Sequence, residues 1–160
     1  MHTPDGQDIQ VRMCEVKVGS GNDVLHAILG SCVGIGLLWR RRGLYGMAHC
    51  LLPESPHATT AEGAKYVTGA MPTLLSMMEL APRHQEEVEA VIAGGACMVQ
   101  HATPPRHGLI GEQNVRMAQR LLAETRIRVV HVEVGGESGR QLVIDCAQHQ
   151  FAVRTIGRTT

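Results

Sequence analysis

Two apolar runs, residues 32–39 and 44–52, flank the charged stretch Arg40-Arg41-Arg42-Gly43, and this pattern constrains the chain more than any other. Both runs are far short of the roughly 20 residues a membrane helix needs. Rich in Val, Ile and Leu and bounded by turn signals, they read as buried strands joined by a charged hairpin turn. Pairing them about Arg41-Arg42 sets Gly34 opposite His49 and Cys32 opposite Leu51. Residues that face each other across a ladder share a sheet face, and so do residues two apart. Cys32 and His49 then become diagonal neighbours on one face, with Cα atoms about 7–8 Å apart. Gly34 and Gly36 add no side chain to that face.

The rest of the chain is read by the same rules. Residues 9–13 alternate as a strand, with Glu15 and Lys17 trailing it, and Gly19 to Asp23 is a turn cluster. A strand covers 24–29, punctuated by Gly30-Ser31. Residues 62–80 have helical spacing at Tyr66, Ala70, Leu74 and Met78, with Pro72 expected to kink or split the helix. Residues 83–89 read as a solvated segment. Residues 88–99 form a buried strand containing Gly94-Gly95, and 111–125 is the clearest helix, with Val115, Ala118, Leu121, Leu122 and Thr125 on one face. Strands follow at 127–134, 141–146 and 151–156, with a turn at 135–139. The class is α+β: a mainly antiparallel sheet with two helices packed on it. A chain of 160 residues without repeat or linker reads as one domain, 1–160, with 1–8 flexible.

Composition narrows the function. Fifteen basic and fifteen acidic residues cancel, so the chain lacks the electrostatic footprint of a nucleic-acid binder or a membrane-surface protein. One Trp, two Tyr and one Phe leave no stacking platform for single strands. The polar N-terminus has no signal-peptide core, and five scattered cysteines make no disulfide framework. The reading is a cytoplasmic protein with reduced thiols.

A thiol beside an imidazole is the pattern of nucleophilic catalysis. The imidazole takes the thiol proton and holds the ion pair, supplying thiolate near neutral pH. The thiolate attacks a carbonyl carbon, backbone N–H groups stabilise the oxyanion, and the imidazolium protonates the leaving amine. Gly30 and Ser31 allow the sharp turn that exposes Cys32 and frees nearby amides. The alternative for Cys32 is a small core hydrophobe, the usual fate of a cysteine. Core packing is the reading for Cys14, Cys50, Cys97 and Cys146, and a core or edge position for His131. His2, His57, His84, His101, His107 and His149 fall in polar stretches and read as solvated. His49 with His57, or Cys97 with His101 and His107, offer metal ligands only in principle, because no closely spaced ligand pair is present. Gly94-Gly95 and Gly135-Gly136 read as turns or close-packing sites.

Leu29-Gly30-Ser31-Cys32 and Ala48-His49-Cys50-Leu51-Leu52-Pro53 resemble the chemoreceptor glutamine deamidase family, CheD. The likeness continues through Lys65-Tyr66 with Ala70 and Pro72, through Ala93-Gly94-Gly95-Ala96, through Ile110-Gly111 with Asn114-Val115, and through Gly135-Gly136 with Gly139-Arg140. The resemblance implies a layered α/β/β fold similar to the catalytic domains of bacterial deamidating toxins. It implies hydrolysis of receptor glutamine side chains to glutamate through a cysteine thioester, without a cofactor. Cys32 would be the nucleophile and His49 the base and acid. The substrate would be the helical cytoplasmic part of a chemoreceptor, and a CheC-type phosphatase a further partner. Three positions depart from the pattern: His26 stands in the place of a third catalytic residue, a threonine; Ala93 replaces a phenylalanine; and Glu133 replaces an aspartate. The His26 change opens an alternative, an adaptor that binds receptors or CheC without turnover.

Overall fold

The computed structural model describes residues 6–55, 63–98 and 109–156. Strand β4 (Val33–Trp39) is buried at every position, as a strand must be when both faces of its sheet are covered. It pairs antiparallel with β5 (Leu44–Cys50), Gly34 opposite His49, in the register expected from the sequence. The connection at Arg40 to Gly43 is closed by the Gly43 N–H donating to the Arg40 carbonyl, with Gly43 at φ 62°. Arg40 pairs with Glu89, Arg41 with Glu87, and Arg42 lies over the Trp39 ring, so the three arginines are anchored.

Around this hairpin, β2 (Val16–Ser20), β6 (Glu89–Gly94) and β7 (Arg128–Val134) complete a five-stranded sheet in the order β2-β5-β4-β6-β7. A second sheet holds β1 (Asp8–Gln10), β3 (Val24–Leu29), β8 (Arg140–Asp145) and β9 (Gln150–Thr155) in the order β1-β3-β8-β9. The pairs β1–β3 and β6–β7 are parallel and the others antiparallel. Helices α1 (Val67–Met77) and α2 (Ile110–Ala123) cover one face of the larger sheet, packing Val67, Ala70, Leu74, Val115, Ala118 and Leu122 on Val33, Ile35 and Leu37. The other face meets the second sheet through Cys32, Leu38, Tyr45, Met47, Leu25, Ala27, Leu29, Leu142 and Ile144. The architecture is mixed α/β, with helices, sheet and sheet as successive layers.

Several local expectations change. The strands form two sheets, in keeping with the layered α/β/β expectation and unlike the single sheet read from the residues alone; the chain crosses from one to the other at Gly30 to Cys32. The first alternating run splits at a turn around Met13 and Cys14, so that Val16 to Ser20 is a separate strand. Pro72 lies inside an unbroken α1. Proline removes one backbone donor there, and Thr73 Oγ1 donates to the Gly69 carbonyl at 2.8 Å on the adjoining turn. Pro82–Glu87 forms a 3-10 helix rather than an irregular segment. Asp8, within the stretch expected to be flexible, opens β1, while residues 1–5 lie outside those described.

Candidate active site

Cys32 precedes β4 at the point where the chain leaves β3 and changes sheets. Its carbonyl accepts the Gly95 N–H at 2.8 Å, and the Gly30 carbonyl accepts the Ala96 N–H at 2.9 Å. The crossing is therefore pinned to the end of β6. Only glycine suits position 94: φ is 105°, and a Cβ there would lie 2.3 Å from the Cys32 carbonyl oxygen. Arg140 Nη1 donates to the Gly94 and Gly135 carbonyls at 3.2 and 2.8 Å, which holds this end of the strand. Gly94-Gly95 is thus a close-packing site beneath the cysteine turn.

His49 lies one residue from the end of β5, on the inter-sheet face shared by Met47, Tyr45 and Cys32. In the ladder His49 stands opposite Gly34, and Cys32, just before the strand begins, packs in the same inter-sheet layer. Nδ1 of His49 is 3.0 Å from the Val11 carbonyl oxygen. A carbonyl only accepts, so Nδ1 carries a proton and Nε2 holds the lone pair of the neutral ring. The backbone of His49 is fixed as well: its N–H donates to the Glu15 carbonyl, and its carbonyl accepts the Cys14 N–H.

His26 is not brought to this pair by its side chain. In β3, Leu25, Ala27 and Leu29 face the inter-sheet core, so the alternate His26 points to the outer face, where Nε2 lies 2.9 Å from Asp8 Oδ1. His26 connects to the His49 ring only through the main chain. The His26 carbonyl accepts the Val11 N–H at 2.7 Å, and the Val11 carbonyl in turn holds the His49 ring. No local signal in the sequence marks Val11, which is buried in a stretch without regular structure.

Asn114 also meets the site. Its Nδ2 donates to the Ser31 carbonyl at 3.2 Å and the Leu51 carbonyl at 3.0 Å. The sequence singled it out only as part of a helix-start motif.

The electrostatics change the expected resting state. Burial, followed by the Cys14 thiol, pushes the Cys32 thiol up, while the Cys32 backbone amide works in the opposite sense. Burial pulls the His49 imidazole down, against the Val11 carbonyl and the Glu15 carboxylate, which favour its charged form. Both directions favour the neutral thiol and neutral imidazole over a standing ion pair, because neither charge is well solvated there.

The other candidates separate. Cys50 and Cys146 are buried, but Cys14 and Cys97 are only half-buried and lie outside strands. His131 is on the edge strand β7, 3.1 Å from Glu133. His84 stacks on Trp39 at 5.0 Å between ring centroids, and His149 is hydrogen bonded to the Tyr45 hydroxyl, so neither is simply solvated. His2, His57, His101 and His107 lie outside the described residues, and with them one member of the first metal grouping considered from sequence and two of the three in the second. Among the described residues no group of three or more His, Cys, Asp or Glu is placed to hold a metal ion. No described helix is long and apolar enough to cross a membrane.

Comparison with known proteins places these features. Residues 51–155 match the family model described as CheD chemotactic sensory transduction. A Ruegeria protein named Probable chemoreceptor glutamine deamidase CheD 2 is 33% identical over 94% of this chain and 93% of its own length. A Bdellovibrio bacteriovorus protein named Probable chemoreceptor glutamine deamidase CheD is 36% identical, covering 84% of this chain and 86% of its own. A Neisseria meningitidis protein of known crystal structure aligns at 12% identity with a TM-score of 0.44, over 78% of this chain and 52% of its own. With one family model matching more than half its length and relatives above 30% identity along most of it, the chain belongs to the CheD family.

Proposed function

We propose that this chain is a cysteine-dependent protein-glutamine deamidase acting on chemoreceptors, with Cys32 as nucleophile and His49 as base and acid. The observation that carries the reading is the His49 geometry: a ring on the Cys32 face, held through Nδ1 by the Val11 carbonyl, with Nε2 as its basic nitrogen. The relatives bear the name of this activity.

The chemistry runs from a neutral pair. As Sγ attacks the carboxamide carbon of a glutamine side chain, Nε2 of His49 takes the thiol proton. The carbonyl oxygen becomes an oxyanion, which backbone amides of the Gly30-Ser31-Cys32 turn stabilise. The imidazolium protonates the amide nitrogen, the C–N bond breaks, and ammonia leaves a thioester on Cys32. Water, giving a proton to His49, attacks that carbon, and the thiol leaves with its proton restored. The sum is glutamine plus water to glutamate plus ammonia, without a cofactor. The Val11 carbonyl keeps the ring oriented and stabilises its transient positive charge, as the third member of such a site does.

The substrate in this reading is the helical cytoplasmic segment of a receptor, which places the enzyme in the cytoplasm. A CheC-type phosphatase is a further partner, and the layered fold is the one implied by the likeness to deamidating toxins. Peptide mass spectrometry of receptor cytoplasmic fragments tests the proposal. Wild type converts defined glutamines to glutamate and Cys32→Ala does not. Equal backgrounds for the two overturn the enzyme reading, and receptor binding that persists with no turnover by wild type establishes the adaptor instead.

A further inference from the structure

We propose that Asn114 is a positioning residue for this reaction: its single carboxamide ties the Cys32 turn to the His49 strand and so sets the placement of nucleophile against base. The inference rests on the assignment of Cys32 and His49 given above.

Asn114 and His49 are the two buried polar side chains among the described residues, and Asn114 is 0% exposed. The two hydrogens of its Nδ2 are matched to two acceptors, the carbonyls of Ser31 and Leu51. Ser31 adjoins Cys32, and Leu51 lies two residues beyond His49. These carbonyls belong to segments 83 and 63 residues away in sequence, joined at this point by one side chain. The orientation of the amide is unambiguous, because a flip would set its oxygen against two carbonyl oxygens. Oδ1 is buried with no hydrogen-bond partner, so the group is held there for its donors. A buried acceptor left unpaired is a cost that an apolar residue would avoid.

The support is rigid. Asn114 sits on α2, whose Val115, Ala118 and Leu122 are packed in the helix-side core. The depth of α2 is set by backbone contact: a Cβ on Gly111 would meet the Gly95 carbonyl oxygen at 2.5 Å, and Gly95 N–H is bonded to Cys32. The helix therefore reaches the cysteine turn by two routes, directly through the Asn114 amide and indirectly through the backbone of Gly95.

Asn114→Asp keeps the shape and replaces the donor, and Asn114→Ser shortens the reach. Leu122→Ala is the control, a buried loss on the same helix away from both carbonyls. Turnover on receptor fragments, Cys32 alkylation across pH and the thermal midpoint are measured for each. Both Asn114 variants should lose about tenfold or more in kcat with KM changed by less than about twofold. Their Cys32 alkylation should also lose the pH limb that His49→Ala removes. Leu122→Ala, at an equal or larger drop in thermal midpoint, should keep both properties. Retention of kcat and of that limb in Asn114→Ser overturns the proposal, and so does an equal kcat loss in Leu122→Ala. If Asn114→Asp does not fold, Asn114→Ser decides alone. A wild type that does not deamidate defeats the functional assignment, and the alkylation profile still judges the clamp: the limb lost in Asn114→Ser upholds it, the limb retained or absent from wild type sinks it.

Discussion

The layer between the two sheets has a cysteine and a histidine at each end, and the two ends are built differently. At the hairpin end, Cys146 lies close to Gly19, and His149 is hydrogen bonded to Tyr45. Burial and then the carboxylates of Asp23 and Asp145 push the Cys146 thiol up to about 12. At the other end, Cys32 is also raised, by burial and then by the Cys14 thiol, but no carboxylate adds to it; at both cysteines the residue's own backbone amide works in the opposite sense. His149 is engaged at Nδ1 by a phenol and sits in a turn at φ 56°, whereas His49 is engaged at Nδ1 by a carbonyl and sits in a strand. The two ends thus share residue types and a buried thiol, while His49 is buried and His149 exposed. What separates the two ends is the pair of carboxylates beside Cys146 and the fixed tautomer of the His49 ring.

This contrast can be broken most sharply at the thiols. Cys32→Ala should remove about 10³-fold or more of the deamidation rate, whereas Cys146→Ala should leave turnover nearly intact. Peptide-resolved alkylation should rank Cys32 well ahead of Cys146, and the reverse order would erase the distinction. Next in size, His49→Ala should cost about 10²–10⁴-fold in kcat, the range of a lost general base, with His149→Ala far below that.

Gly94→Ala tests the support beneath the cysteine turn. Its Cβ would press on the Cys32 carbonyl at a positive φ, so a stability loss above about 2 kcal/mol is expected in chemical denaturation, together with reduced turnover. A neutral substitution there would mean that the turn is not pinned.

The pH dependence is subtler. His49 must be neutral to act as base, and burial lowers its pKa. The acid limb of kcat/KM should therefore have its midpoint below about 6.5, the ordinary imidazole value. Glu15→Gln removes a charge that favours the imidazolium, so it should move that midpoint further down. A limb above 6.5, or an upward move, contradicts the neutral resting pair. The smallest effect is expected of His26→Thr. Its side chain faces away from the site, so kcat should stay within about twofold, or roughly 0.4 kcal/mol. A large gain would show that side chain reaching the chemistry after all.

Much of this was legible in the sequence. Strand β4 and its partner could be paired residue by residue because the arginine turn pins the register and side chains alternate with a period of two. Helix α2 announced itself by the spacing of Val115, Ala118 and Leu122. The division of strands between two sheets was not legible from the residues, because Gly30-Ser31 signals a break without saying which layer the chain enters next. Pro72 was misleading for a related reason: packing of Val67, Ala70 and Leu74 on the sheet holds a helix that local preference alone would split. Cys14 and Cys97 were read as core because cysteine is usually buried, while the structure leaves both half-buried outside strands.

By itself, the sequence determined which cysteine and histidine share a face, since a short turn and strict alternation are local facts. Only the tertiary structure decided what holds them: Val11 on the His49 ring, Asn114 across Ser31 and Leu51, Gly95 against Cys32, and the outward turn of His26. These contacts join segments dozens of residues apart, through backbone carbonyls and amides that every residue carries. A group common to all residues leaves no mark in a sequence, and its partner is set by how the layers close.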